Sequence, residues 1–211
     1  AELAQSILPP TSWAYDDRGI QYQYDPEKAK RLLKEAGHSN LNINIWAMPV
    51  QRVYNPNARR MAELMQSDLA QIGVSASIVS YEWNTFRRRL SRGEHDTVLI
   101  GWYADNADPD NFFRPLLSCA AVATGGNRAN WCHPGFDQLL YSAIATTVPE
   151  ERKALYQSAQ HLLNQQQPLL PIAHSKRFQA QQKNISGVEL PPYGGINFRL
   201  ATKDTAEEES Q

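Results

Sequence analysis

Two charged side chains, Arg52 and Asp105, each follow an apolar stretch of the sequence and could hold the two ends of a zwitterionic ligand. Arg52 follows the stretch 41–48, and Asp105 ends the run 97–105, TVLIGWYAD. A guanidinium presents a planar pair of donors that can bind a carboxylate through two parallel hydrogen bonds. A carboxylate can accept hydrogen bonds from an ammonium group. This pair therefore predicts a binding site for a small molecule that carries both charges.

Both residues also have ordinary structural explanations. Arg52 could be a solvated arginine on a loop, and Asp105 could form a turn by accepting from a backbone amide. The aromatic residues near them in sequence fit either explanation, because they could line a ligand site or pack in a core. These aromatic residues are Trp46, Tyr54, Trp83 and Trp102.

The acidic run 105–111, DNADPDN, divides its three carboxylates among different roles. Asp108 precedes Pro109 and is predicted to cap the helix that follows, because a carboxylate at the N-cap accepts from free backbone amides. Asp110 falls in the first turn, where a negative charge favours the helix dipole. Asp105 comes too early for either role, which leaves it for a ligand.

The residues around these sites alternate between strand and helix patterns. The predicted elements are a strand at 41–48, a helix at 58–72 capped by Asn57, a strand at 74–83, a basic helix at 85–91 and a strand at 97–103. Such alternation predicts an α/β sheet with parallel strands. Ligands of open α/β sheets bind beyond the carboxyl ends of the strands, which is where Arg52 and Asp105 stand.

Further segments flank this unit. Asp25 and Pro26 are predicted to start a helix that ends before Gly37. The other expectations are an irregular surface segment at 1–13, a helix at 150–165, a short buried strand at 168–173 and a solvated acidic tail at 207–211.

Cys119 and Cys132 are the only cysteines in the chain. The glycines between them would let the loop fold back, so a disulfide is one interpretation and two buried free thiols are the other. A bridge would stabilise the fold by about 3 kcal/mol and would require an oxidising compartment such as the periplasm. A metal site that uses Cys132 and His133 is less favoured, because no second pair of ligands completes a tetrahedron.

The composition argues against several classes of function. The 21 Lys and Arg nearly balance the 22 Asp and Glu, so nucleic acid and anionic membranes are not expected partners. No stretch approaches the roughly 20 consecutive apolar residues of a membrane-spanning helix. The start at Ala1 without a leader-like segment is typical of a processed protein or a fragment. Nucleophile, Walker and dinucleotide-binding patterns are absent, so we expect neither an enzyme nor a cofactor.

Four strings in the sequence resemble a known family. They are WAMPVQRVYNPNARRMAE, IVSYEW, GWYADNADPDNFFRPLLSC and WCHPGFD. All four closely resemble the dipeptide receptors of bacterial peptide ABC importers, which belong to family 5 of the extracellular solute-binding proteins. Ala104 and Ala107 depart from the glycines of the family pattern and add methyl groups beside the charged run.

The resemblance implies an architecture and a cellular setting. The fold would be a periplasmic-binding-protein-like (type II) α/β lobe, with a mixed, largely parallel sheet flanked by helices. Residues 1–175 would form most of the second, carboxyl-terminal ligand-binding lobe, and residues 176–211 would return toward the first lobe and end in the acidic tail. The receptor would be a periplasmic monomer that closes by hinge motion and delivers peptides to an inner-membrane ABC permease.

The resemblance also implies roles for individual residues. Arg52 would bind the carboxylate of a dipeptide or short peptide, and Asp105 would bind its ammonium group. Cys119 and Cys132 would form a disulfide. The remaining residues expected at the ligand are Tyr54, Trp83, Gly101 and Trp102. The alternatives are a receptor of the same family for an oligopeptide, haem, glutathione, an antimicrobial peptide or a nickel chelate, and, from another class, a hydrolase.

Overall fold

The computed structural model describes residues 1–19 and 22–204, so the expected acidic tail at 207–211 lies outside the described residues. The helices are α1 (Pro26–Glu35), α2 (Ala58–Gln71), α3 (Trp83–Ser91), α4 (Asp110–Leu117), α5 (Cys119–Ala123), α6 (Pro134–Ala145) and α7 (Pro149–Gln166). The strands are β1 (Glu2–Leu3), β2 (Asn42–Ala47), β3 (Ser75–Val79), β4 (Thr97–Leu99), β5 (Ala173–His174), β6 (Ile185–Ser186) and β7 (Thr202–Lys203).

A three-stranded parallel sheet in the order β3-β2-β4 organises the first half of the chain. In register, Ile45 of β2 lies opposite Ile78 of β3 and Thr97 of β4. Helix α2 connects β2 to β3, and α3 connects β3 to β4. Because the strands are parallel, their carboxyl ends meet at one edge of the sheet. The α/β class predicted from the alternation is confirmed.

The helix starts follow local side-chain chemistry. Asp25 accepts a hydrogen bond from the Lys28 amide at the start of α1, and Asn57 accepts from the Arg60 amide at the start of α2. Both predicted caps are confirmed. The predicted strand at 74–83 is too long, because Glu82 caps α3 and Trp83 is the first residue of that helix.

Two other predicted strands are largely wrong. The ladder between β2 and β4 ends where Ala47 pairs with Leu99, so residues 100–103 have no partner strand and form a loop. In the stretch 168–173 only the last residue belongs to a strand, β5, which pairs with β1. Leu170 is 67% exposed, so this stretch is not a buried strand.

The sheet and its helices share one hydrophobic core, which we call the sheet core. Trp46 lies at its centre, 2% exposed, with ring centroids 5.0 Å from Tyr81 and 5.6 Å from Phe86. The buried members of the sheet core are Ile45, Trp46, Ala47, Met48, Ala58, Ala62, Phe86, Leu90 and Leu99. Trp46 is therefore a core residue and does not line a ligand site.

A second core lies among α4, α6, α7 and the amino-terminal segment, and we call it the helical core. Its buried members are Leu8, Ala14, Phe113, Leu117, Phe136, Leu140, Ala143, Tyr156, Ala159 and Leu163. The expectation of an irregular opening segment on the surface is only half right, because Leu8 is fully buried. Gln160 accepts from the Ser6 hydroxyl at 2.6 Å, which anchors that segment to α7.

A disulfide joins Cys119 to Cys132, and their Cα atoms lie 4.5 Å apart. The disulfide interpretation is confirmed, and the free-thiol interpretation is wrong. His133 has a structural role, because its Nδ1 accepts from the Phe136 amide and caps α6. The Cys119 amide donates to the Asp137 carboxylate at 3.1 Å, which ties the bridge to the same helix.

Candidate functional site

An open cleft of about 1990 Å³ is lined in part by the loops beyond the carboxyl ends of the three parallel strands, and also by residues of the sheet, of α1 and of the amino-terminal segment. The loop after β2 contributes Arg52 and Tyr54, and the short connection after β3 leads to Trp83. The loop after β4 carries Gly101, Trp102 and Asp105. The structure therefore places all six predicted ligand residues along this cleft.

Arg52 is held at the cleft by its backbone and by an aromatic neighbour. Its amide and carbonyl exchange hydrogen bonds with Asn55 at 3.1 and 3.0 Å, which closes a tight turn. Its guanidinium carbon lies 4.6 Å from the centroid of the Trp83 ring, within cation–π range. Among the described residues, the exposed guanidinium has no ion-pair partner.

Tyr54 packs against the loop of the neighbouring strand. A Cβ placed on Gly101 would lie 2.5 Å from Tyr54 Cδ2, so only glycine lets the ring approach the backbone this closely. Burial raises the pKa of the Tyr54 hydroxyl above its ordinary value, and the nearby Arg52 charge partly opposes that shift. The lack of a side chain at Gly101 therefore lets the loops after β2 and β4 pack directly against each other.

The three carboxylates of the acidic run have different surroundings. Asp108 pairs with Arg152 at 2.8 Å, and Asp110 pairs with Arg114 at 2.7 Å. The exposed Asp105 carboxylate forms no ion pair within the described part of the chain. Asp105 therefore leaves its charge open to the cleft.

Asp108 caps the start of α4 with its side chain as predicted, although the helix boundary lies one residue later than expected. Helix α4 begins at Asp110, and Pro109 occupies its N-cap without a side-chain hydrogen bond. Asp108 Oδ1 accepts from the Asp110 amide at 3.0 Å, so one free amide of the first turn is satisfied in addition to the ion pair with Arg152. Asp110 lies in the first turn of α4, as predicted.

Asn111 organises the loop that carries Asp105. Its side-chain oxygen accepts from the Trp102 indole nitrogen at 3.0 Å and from the Asp105 backbone amide at 3.1 Å. This role of Asn111 was not predicted from the sequence, where the residue is simply the last of the acidic run 105–111. A local signal existed, because an amide at the start of a helix can accept from the loop that precedes it.

Residues near the carboxyl terminus fold back onto the same loop. The Tyr103 hydroxyl donates to the Gly194 carbonyl, and the Gly194 amide donates to the Ala104 carbonyl at 3.2 Å. Arg177 donates to the Tyr103 hydroxyl and, at 2.7 Å, to the Pro191 carbonyl. Sequence reasoning missed Arg177 and Tyr103, which lie 74 residues apart in the chain.

Comparison with known proteins identifies the family. Residues 1–124 match the sequence model of the bacterial extracellular solute-binding proteins, family 5 Middle. The chain belongs to this family. The resemblance found in the four sequence strings is therefore confirmed.

Relatives of this family 5 chain carry names with different ligands. The chain is 50% identical over 196 residues to the dipeptide-binding protein of Escherichia coli K12. This alignment covers 92% of the chain and 37% of that protein. It is 44% identical over 192 residues to heme-binding protein A of Haemophilus influenzae, covering 90% of the chain and 35% of that protein.

A solved structure of high similarity supports the fold. The dipeptide binding protein from Pseudoalteromonas sp. SM9913, in complex with Met-Leu, superimposes with a TM-score of 0.88 at 54% identity. The match covers 96% of this chain and 40% of the other chain. The expected periplasmic-binding-protein-like fold is confirmed, and this family 5 chain spans well under half the length of its relatives.

Two features are absent from the described residues. Within residues 1–19 and 22–204, no helix has the length and apolar character needed to cross a membrane. In the same ranges, no three His, Cys, Asp or Glu side chains are grouped so that they could hold a metal ion.

Proposed function

We propose that this chain is part of the substrate-binding component of an ABC peptide importer and binds dipeptides through their charged termini. Arg52 binds the peptide carboxylate and Asp105 binds the ammonium group. The observation that carries the proposal is that opposite charges, neither paired within the described residues, line one cleft at the carboxyl edge of a parallel sheet. Membership of a solute-binding family supports binding over catalysis.

The physics of this arrangement favours selection by length. Two fixed charges at a set separation accept a ligand whose own charges match that separation, whatever its side chains. Tyr54, Trp83 and Trp102 present aromatic surface to the cleft, against which different side chains and water can pack. The receptor therefore selects the peptide backbone and tolerates many side chains.

The proposal includes a division of the chain between two lobes. Residues 1–175 form most of the second lobe, and residues 176–211 return toward the first. Arg177 and Gly194 form hydrogen bonds with the 103–104 loop, so the first part of the later segment packs against the cleft wall of this lobe. Ligand binds between the lobes, in the cleft that this chain forms in part.

The cellular setting follows from the same proposal. The receptor works in the periplasm as a monomer and delivers its ligand to an inner-membrane permease. The disulfide supports this location, because such bridges persist in oxidising compartments. The name of a Salmonella typhimurium relative, peptide transport periplasmic protein SapA, agrees with this location. That relative is 41% identical to this chain.

Blocked peptides test the role of each terminus. In the two-lobed receptor that contains this chain, titration calorimetry should detect Met-Leu, whereas N-acetyl-Met-Leu and Met-Leu amide should each bind about a hundredfold more weakly or worse. Equal affinity for the free and blocked peptides would reject the site.

The name of the Haemophilus influenzae relative motivates a second candidate, a haem receptor. Absorbance titration with haem tests it on the same protein, and haem binding without Met-Leu binding would favour this candidate. Release of free methionine and leucine from Met-Leu would instead indicate a hydrolase.

A further inference from the structure

Two more arginines, Arg87 and Arg128, line the cleft near the proposed carboxylate site. The Arg87 guanidinium carbon lies 5.9 Å from the centroid of the Trp83 ring, the same ring that Arg52 contacts. Burial, and secondarily the positive charge of Arg87, lower the pKa of Arg128. The positive charge of Arg87 therefore acts on Arg128, and Arg87 shares the Trp83 ring with Arg52, the group that we assign to the peptide carboxylate.

These cleft arginines differ from their neighbours on and after α3. Arg89 pairs with Glu94 at 2.5 Å, and Arg92 lies 3.9 Å from the same carboxylate. Neither of these paired arginines lines the cleft. Arg87 and Arg128 lack any carboxylate partner in the ranges that the structure describes.

Polar atoms around Arg128 are also left without partners. Its Nη1 is buried and has no acceptor in the described part of the chain, and the same holds for His95 Nδ1. The other ring nitrogen of His95 lies 2.8 Å from the Arg128 carbonyl, so the two residues form one cluster. A half-buried charge without an anion is unfavourable, and an entering carboxylate would offset that penalty.

We propose that Arg87 and Arg128 form a second anion site, which binds the side-chain carboxylate of an Asp or Glu at the carboxyl-terminal position of a bound dipeptide. The contact of Arg87 and Arg52 with the same Trp83 ring supports a position for this site near the carboxyl-terminal residue of the ligand. The inference rests on the proposed function, and it adds a preference for acidic peptides to a receptor that selects mainly the backbone.

Isomeric dipeptides test the site and the position together. By calorimetry on the two-lobed receptor, Ala-Glu should bind about tenfold more tightly than Ala-Gln, because two guanidinium groups attract the extra charge. Glu-Ala and Gln-Ala should agree within about twofold, since their side chains lie at the other end. Comparing amide with acid keeps the size and shape of each pair the same.

Variants of the arginines complete the test. R87Q/R128Q should abolish the preference, so that Ala-Glu and Ala-Gln bind with affinities that agree within about twofold. R88Q removes an exposed arginine of the same helix, outside the cleft, and should keep the preference. If the double variant does not fold, R87Q alone should reduce the preference, because Arg87 is exposed on α3.

The outcomes separate this inference from the proposed function. Equal binding of Ala-Glu and Ala-Gln by the unmodified receptor would overturn it, and would indicate that a carboxylate from another part of the receptor covers the arginines. A preference that survives in R87Q/R128Q would overturn it as well. If neither Ala-Gln nor Gln-Ala binds, the proposed function fails, and this inference fails with it.

Discussion

Charged residues around the helical core form pairs, whereas, among the described residues, Arg52 and Asp105 at the cleft edge of the sheet do not. Around the helical core, charged groups lie in closed networks, as where Arg152 donates to both Asp108 and the Tyr156 hydroxyl. At the cleft edge, Arg52 and Asp105 have no ion-pair partner among the described residues. Paired charges stabilise a fold only modestly, whereas unpaired charges that line a cleft are available to a ligand. The difference separates residues that maintain structure from the residues that we propose bind the ligand.

Removing the unpaired charges is the strongest test of this contrast. Arg52→Ala and Asp105→Ala should each weaken Met-Leu binding to the two-lobed receptor by about a hundredfold or more, because a buried ligand charge loses its partner at a cost of about 3–5 kcal/mol. The melting temperature should change little, since neither side chain has a charged partner to lose. Titration calorimetry and thermal unfolding measure the two quantities.

A matched control lies on α2. Arg59 pairs with Glu63 and does not line the cleft, so Arg59→Ala should leave Met-Leu affinity unchanged. Unchanged affinity in either Arg52→Ala or Asp105→Ala would remove the basis of the proposed site. If either variant has lower stability but normal affinity, the substituted residue maintains the fold and does not bind the ligand.

A buried charge near the helical core should show the reverse behaviour. Asp16 accepts from Arg18 at 2.7 Å, and this hydrogen bond, with a smaller contribution from nearby His161, lowers the pKa of the Asp16 carboxyl to about 2. Because the folded pKa lies below the unfolded one, the carboxylate stabilises the fold above about pH 4, and that contribution is lost as the pH falls toward about 2.

Asp16→Asn should therefore lower the free energy of unfolding by about 2 kcal/mol near neutral pH, with little difference from the unmodified protein near about pH 2. Urea unfolding at several pH values measures this loss. A constant difference between Asp16→Asn and the unmodified protein across the pH range would contradict the assignment.

Features set by local chemistry were predictable from the sequence. Asp25 and Asn57 cap helices through amides three residues away, so the sequence contains the whole interaction. The length of β4 was not predictable, because it depends on where β2 ends in a different part of the chain. Residues 100–103 are apolar enough for a strand, but they line the cleft instead.

The candidate site shows the same limit. Arg52 and Asp105 were identified because each follows a strand, and parallel strands bring such positions to one edge. Arg177 was not identified, because its contact with Tyr103 spans 74 residues and no pattern near either residue signals it. The residues that we propose offer charge to a ligand were thus visible in the sequence, whereas Arg177, which holds the loop after β4 in place, was visible only in the fold.

Asn111 tests whether a residue without charge can affect binding by holding Asp105 in place. Asn111→Ala removes the acceptor shared by the Trp102 indole and the Asp105 amide, so the loop should lose its fixed shape. We expect Met-Leu affinity to fall by about tenfold, or about 1.4 kcal/mol. The loss should fall on the ammonium end, so the affinity ratio of Met-Leu to N-acetyl-Met-Leu should decrease while the ratio to Met-Leu amide stays constant. Asn111→Asp keeps an acceptor oxygen and should retain binding, and equal losses in both ratios would show that Asn111 supports the whole lobe and not the Asp105 loop.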